Sequence, residues 1–222
     1  MTVIGGVIVD YLEKTIGRSV GPTIMILVPL SIELFRGKDP IEYYGLNLDS
    51  LKKLNLKVIL GIGLLIFVVL STVDNLFFNL WQIMMGSGSK LPIGADSLAF
   101  ARSNMFYLSV FPVFSGTLVE ELWFRGLIQY KVKSINFLRR INPHFAIIFQ
   151  SILFGLVHFL PVHYATNLPM TTQVYILTYP TIVGIIAGYL NERYNSLFPG
   201  WIIHFTNNFL GIIALAIFVR LQ

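Results

Sequence analysis

From Val58 to Trp81 the chain carries one ionisable side chain, Asp74, in a run that is otherwise uncharged and mostly apolar. As a helix that run spans about 36 Å at 1.5 Å per residue, enough to cross the roughly 30 Å hydrocarbon layer of a bilayer. Comparable apolar stretches run from Val20 to Phe35, Phe106 to Tyr130, Phe145 to Leu160, Val174 to Leu190 and Leu197 to Val219. Only 12% of the side chains are charged and 55% are hydrophobic, whereas soluble domains run about 25% charged. A core made from 222 residues could not hide that much apolar surface from water. The pattern predicts an all-α membrane protein: a polytopic transmembrane helical bundle of about six spans, with up to seven or eight helices in all. Its length fits a single transmembrane helical domain over residues 1–222.

The connections give an orientation. Lys131, Lys133, Arg139 and Arg140 make the segment after the third run strongly basic, while Pro161 to Gln173 holds no Lys or Arg. Basic loops stay on the cytoplasmic side, so the first segment is expected inside and the second outside. Arg36 to Lys57 reads as a polar connector, broken by Gly37, Pro40 and Gly45, and falls inside as well. Gly86 to Ala95 reads as a loop. Residues 1–17 read as a short amphipathic helix or the front of the first span, not as a cleaved signal peptide, because Val3 to Val9 has no basic stretch before it. The net charge of +5 gathers beside apolar segments, which points to a lipid bilayer and not to nucleic acid. With no cysteine, disulfides, thiol catalysis and Cys-ligated metals are excluded.

Into this apolar background the chain places Glu120-Glu121-Leu122-Trp123-Phe124-Arg125. A charge at membrane depth costs roughly 2.5–3.5 kcal/mol on insertion scales, so such residues mark sites. Helical neighbours project about 100° apart and residues four apart share a face. Glu120 and Glu121 are therefore expected to diverge, with Glu121 paired to Arg125 at i, i+4. Glu120, without a partner in its own helix, is the candidate general base. The fourth run adds Phe154-x-x-x-His158, with Phe154 one turn before the imidazole on its face. The last run adds His204-x-x-x-Asn208, with Asn207 close to the same side. His144 and His163 flank the fourth run and lack a polar partner on their face.

Each motif alone also has a structural reading: a buried ionic cluster, a hydrogen-bonded core histidine, or interhelical hydrogen bonds worth about 0.6 kcal/mol. Together they are a sufficient kit for hydrolysis. Glu120 and His158 would activate a water, and His204 with Asn208 would donate to the developing oxyanion. That requires the three helices to converge.

The ordered set Glu-Glu-x-x-x-Arg, Phe-x-x-x-His and His-x-x-x-Asn resembles the CPBP family, the CAAX proteases and bacteriocin-processing enzymes also called the abortive-infection family. Asn195-Ser196-Leu197 resembles that family's approach to its last motif. The resemblance covers a catalytic core of roughly residues 106–215. It implies an intramembrane endopeptidase with a water-accessible cavity in a helical bundle. Glu120, His158, His204 and Asn208 would be catalytic, with Glu121, Arg125 and Phe154 supporting. The partners it implies are the bilayer and a peptide or prenylated or lipidated protein substrate: a prenylated C-terminal tail, a bacteriocin leader or a signalling peptide. A compact chain without cysteine fits a prokaryotic cytoplasmic membrane.

Glu120, His158 and His204 would also make a recognised catalytic zinc set. Against zinc, the chain has no His-Glu-x-x-His, and ligation by His204 would leave Asn208 as the sole oxyanion donor. The expectation is metal-independent catalysis with no cofactor, with a zinc-dependent protease as the alternative. A non-catalytic immunity or scaffold protein is the other rival. A transporter should show symmetry between its halves, and none is visible.

Overall fold

The computed structural model describes residues 20–85, 113–165 and 170–220, and among them only helices and short connections occur. In chain order α1 is Val20–Phe35, α2 Pro40–Tyr43, α3 Leu48–Lys52 and α4 Leu56–Met85. The helix over 113–133, here α5, is α-helical to residue 121, π-helical over Leu122–Gln129, and closes with the α-turn Tyr130–Lys133. Then come α6 Asn136–Ile141, α7 Phe145–Ala165, α8 Met170–Tyr194 and α9 Phe198–Arg220. Helices thus stand at all six apolar runs. The expectations for residues 1–17, for Gly86 to Ala95, for the start of the third run at Phe106 and for the His163 side chain lie outside the described residues.

Among the described residues, Leu56–Val73 and Gln173–Tyr194 are both long and apolar enough to cross a membrane, while Met25–Phe35 and Phe145–Leu160 are apolar but shorter. The outer face of α4 is apolar. Leu60, Leu64, Leu65, Val68 and Val69 are exposed, while Ile59 and Ile66 on its other side are buried. A continuous row of outward aliphatic side chains is a liability in water and suits hydrocarbon.

The polar connector is more ordered than its breakers suggest. Asp39 caps α2, its Oδ1 accepting from the Ile41 amide at 2.8 Å with Pro40 in the first turn, and Asn47 caps α3 by accepting from Ser50 N at 2.8 Å.

α8 sits at the centre, packed on α7, α9, α4 and the π-helical segment. Its closest neighbour is α7, and Gly155 is the reason. A Cβ there would run into the Thr181 hydroxyl and the Leu177 carbonyl, so only glycine lets the two backbones come so near. Ile59, Ile66, Val183, Leu190 and Ile203 form the apolar core between α4, α8 and α9.

α1 is tied to α5 through a proline. Pro29 has no N–H, so the Met25 carbonyl one turn earlier loses its helical donor. The Trp123 indole on α5 supplies it, donating to Met25 O at 3.0 Å. Trp123→Phe keeps an aromatic ring and removes the donor, and is expected to lower stability by about 1–2 kcal/mol. Thermal unfolding in detergent, compared with wild type, checks this.

Candidate active site

α5 brings its charges to the middle of the bundle. Glu120 is 7% exposed, Glu121 0% and Arg125 4%. Arg125 NH1 stands 3.1 Å from Glu121 Oε1, the i, i+4 pair expected from the spacing. The segment that carries Arg125 is a π-helix and not the regular α-helix that the spacing predicts. Leu122, Arg125, Gly126 and Gln129 keep the buried stripe of an α-helix, and Phe124 is buried beside it. Short π-helical segments recur at functional sites.

The two glutamates do not part company as the 100° argument implies. Both reach His204, one at each ring nitrogen. Glu121 Oε1 lies 3.2 Å from Nδ1, and Glu120 Oε2 lies 3.4 Å from Nε2. Neighbouring side chains leave the helix in different directions, but an imidazole inserted between them presents a nitrogen to each. Glu121 is thus more than a partner for Arg125. It also accepts from Asn191 Nδ2 at 3.3 Å through Oε2, so its two oxygens are held by α5, α8 and α9 at once.

His204 is delivered by a sharp entry into α9. Asn195 takes the left-handed conformation, φ 48°, at the end of α8. Ser196 then donates to Gly45 O at 2.7 Å, and the Leu197 amide donates to Tyr44 O at 3.1 Å. Gly200 lets the first turn of α9 close on Glu121 and Asn191, since a Cβ would meet both within 2.7 Å, and its amide donates to Asn191 Oδ1.

His158 comes from α7. Its Nδ1 lies 2.7 Å from the Phe154 carbonyl, which can only accept, so Nδ1 holds the hydrogen. Nε2 is therefore the nitrogen turned to Glu120, 4.0 Å from Oε2. Phe154 is the hub beneath. Its face carries the Arg125 guanidinium at 4.2 Å, and its ring meets those of His158 and His204 edge-on, with centroids 4.6 and 5.3 Å away. One phenyl ring therefore positions three polar groups.

The structure thus brings Glu120, Glu121, Arg125, Phe154, His158 and His204 together. Asn208 lines a cavity of about 220 Å³ with His158, His204, Tyr175, Tyr179 and Pro180. Asn207 lines the cavity too but serves a different end. It is buried, accepts from Tyr179 OH at 2.8 Å, and donates to Gly63 O on α4 at 3.2 Å, tying three helices together. His144 is exposed at the turn before α7 and takes no part. Asn191 and Gln129 belong to the polar core, and the sequence reading misses both. Gln129 follows Arg125 by four residues as Arg125 follows Glu121, a spacing that could have disclosed it. Asn191 stands beside Glu192 and Arg193 and looks like the polar end of a span.

Beyond Tyr175, Tyr179, Asn207 and Asn208 the cavity opens into a wider groove of about 730 Å³, walled by Phe67 and Ser71 of α4, Val113 of α5, and Ile212 and Ala214 of α9. The arrangement can hold an extended apolar ligand in the groove and bring one polar bond of it to Glu120 and His158. As for zinc, no group of three His, Asp or Glu side chains among the described residues is arranged as metal ligands. Glu120, His158 and His204 stand at hydrogen-bonding and longer separations, each imidazole anchored through Nδ1.

Among known families, the model for type II CAAX prenyl endopeptidase, Rce1-like, matches residues 102–210. Comparison with curated proteins and with solved structures gives no match.

Proposed function

This chain belongs, through residues 102–210, to the Rce1-like type II CAAX prenyl endopeptidases, an integral-membrane protease family, and we propose that it is itself an intramembrane endopeptidase acting on a prenylated or lipidated peptide. The observation that carries this reading is the placement of Glu120 Oε2, 3.4 Å from His204 Nε2 and 4.0 Å from His158 Nε2, against the two imidazoles that line the cavity.

Glu120 and His158 hold a water between Oε2 and Nε2. The water oxygen attacks the scissile carbonyl carbon while its proton passes to the Glu120 carboxylate. His204 Nε2 and the Asn208 amide stabilise the oxyanion that forms. Once Glu120 is protonated it no longer draws on a donor, which frees His204 for that task. The carbon–nitrogen bond then breaks, and Glu120 returns the proton to the leaving nitrogen. The products are a new carboxyl terminus and a free amine. Glu121, Arg125 and Phe154 hold the imidazoles in place, and Phe154 also lines the chamber.

The apolar groove receives the lipid and the smaller chamber the peptide. Pro180 adds to the fit. Lacking an N–H, it leaves the Ile176 carbonyl without its helical donor, and both residues line the chamber. A peptide amide laid along the wall can fill that place.

The two asparagines test the assignment. Asn208→Ala is expected to lower kcat on a quenched-fluorescent lipidated peptide by about 10²–10³-fold, the effect of losing one oxyanion donor, with unfolding unchanged. Asn207→Ala is expected to lower stability by about 1–3 kcal/mol, because Tyr179 and the Gly63 carbonyl lose a buried partner. The reverse pattern would remove Asn208 from the chemistry.

A further inference from the structure

A second cavity, of about 140 Å³, lies on the other side of Arg125 from His204. It is lined by Arg125, Gln129, Asn191, Tyr43, Lys133 and Ser196 among others. Its walls are polar at a depth where polar groups are expensive, and polar atoms of Tyr43, Arg125 and Gln129 make no hydrogen bond among the described residues. Arg125 and Gln129 are 4% and 3% exposed. No guanidinium nitrogen of Arg125 makes a well-formed hydrogen bond among the described residues, although NH1 faces Glu121, and Gln129 Oε1 accepts none. Gln129 Nε2 is used fully, donating to Gly188 O at 3.2 Å and to Glu192 Oε1 at 3.0 Å. The mouth is closed loosely by the Lys133–Glu192 pair at 3.0 Å, whose side chains are 44% and 23% exposed. That end of the bundle carries Lys131, Arg139 and Arg140.

We infer that this cavity is a hydrated inlet from the basic face of the bundle, holding a small cluster of waters on Arg125 and Gln129. Buried polar groups beside a space this large are satisfied by water, which needs only about 10–15 Å³ of such volume per molecule. The chemistry selects water over an ion. Arg125 offers donors and Gln129 an acceptor, while the charges of Arg125 and Lys133 are balanced by Glu121 and Glu192. The inlet and the substrate groove share no lining residue, and along α8 their nearest lining residues, Asn191 and Tyr179, lie about 18 Å apart. Through Asn191 and Arg125 it touches Glu121, the residue that holds His204. Resting on the hydrolytic reading above, its role is to satisfy the Arg125 and Gln129 groups left without a hydrogen bond among the described residues, and so to hold Arg125 against Glu121, the residue that anchors His204.

The absence of cysteine from the chain makes the test direct. Single variants Gln129→Cys, Ser196→Cys and Ser151→Cys, in full-length protein in detergent, are treated with methanethiosulfonate-ethylammonium, and labelling is timed by mass. Only a hydrated thiol ionises and reacts, so Gln129→Cys and Ser196→Cys are expected to label at least about tenfold faster than Ser151→Cys. Ser151 is fully buried and does not line the cavity. Ser196→Cys is nearly isosteric and carries the test alone if Gln129→Cys does not fold. Equal rates at all positions, slow or fast, would overturn the inlet. Labelling does not depend on proteolysis, so the inlet and the protease reading can fail independently.

Discussion

Glu120→Gln is expected to lower kcat/KM for a lipidated peptide by about 10³-fold while leaving the thermal midpoint within a few degrees of wild type. The substitution keeps the shape of the side chain and its contact with His204 but removes the oxygen that accepts the proton of the attacking water. Stability is spared because Glu120 is the outermost of the three α5 charges and meets the two imidazoles at the cavity, not a lysine or arginine. Steady-state cleavage and unfolding of the same preparation check both halves. A variant that unfolds early would mean that Glu120 holds the bundle together; one that cleaves at the wild-type rate would remove it from the reaction.

Arg125→Met is expected to act on folding first, lowering stability by about 3–5 kcal/mol. The Glu121 side chain is fully buried, and Arg125 is the cation within its reach on α5. Removing the guanidinium leaves a carboxylate in an apolar interior with only an imidazole and an amide to compensate it. The double variant Glu121→Gln with Arg125→Met removes both charges, and methionine can still lie on the Phe154 ring. It is expected to recover most of the lost stability, measured by thermal unfolding in the same detergent. It should not recover activity, since a neutral amide at position 121 holds His204 more weakly than a carboxylate does. A double variant as unstable as the single one would show that the pair matters through shape and not through charge.

Much of this site is visible along the chain because charge inside hydrocarbon is so costly that few residues qualify. Glu120, Glu121, Arg125, His158 and His204 stand out by contrast alone, and helical periodicity pairs Glu121 with Arg125. What periodicity describes is the face of one helix. It carries nothing about how far a neighbouring ring reaches between two faces, so the convergence of both glutamates on His204 emerges only from packing. The same limit separates Asn207 from Asn208. Adjacent on a helix and chemically identical, both line the cavity, but Asn207 is bound to Tyr179 and Gly63 because of where α4 and α8 lie. The π-helical turn is not legible either, since nothing in Leu122–Gln129 departs from ordinary helix formers except Gly126. Asn191 is masked by its charged neighbours, and Gln129 by its place near the basic end of the segment.

One experiment tests the proposed metal-independent hydrolysis most directly. Purified protein in liposomes is given a prenylated C-terminal peptide in ¹⁸O-labelled water, with and without a strong zinc chelator, and the products are weighed by mass spectrometry. Cleavage is expected at the same rate in both samples, with one ¹⁸O atom in the new carboxyl group. Loss of cleavage in chelator, restored by added zinc, would move the water from Glu120 and His158 to a metal. No cleavage in either sample, across prenylated and unprenylated peptides, would contradict the protease reading and leave a membrane protein whose buried charges serve packing or binding alone.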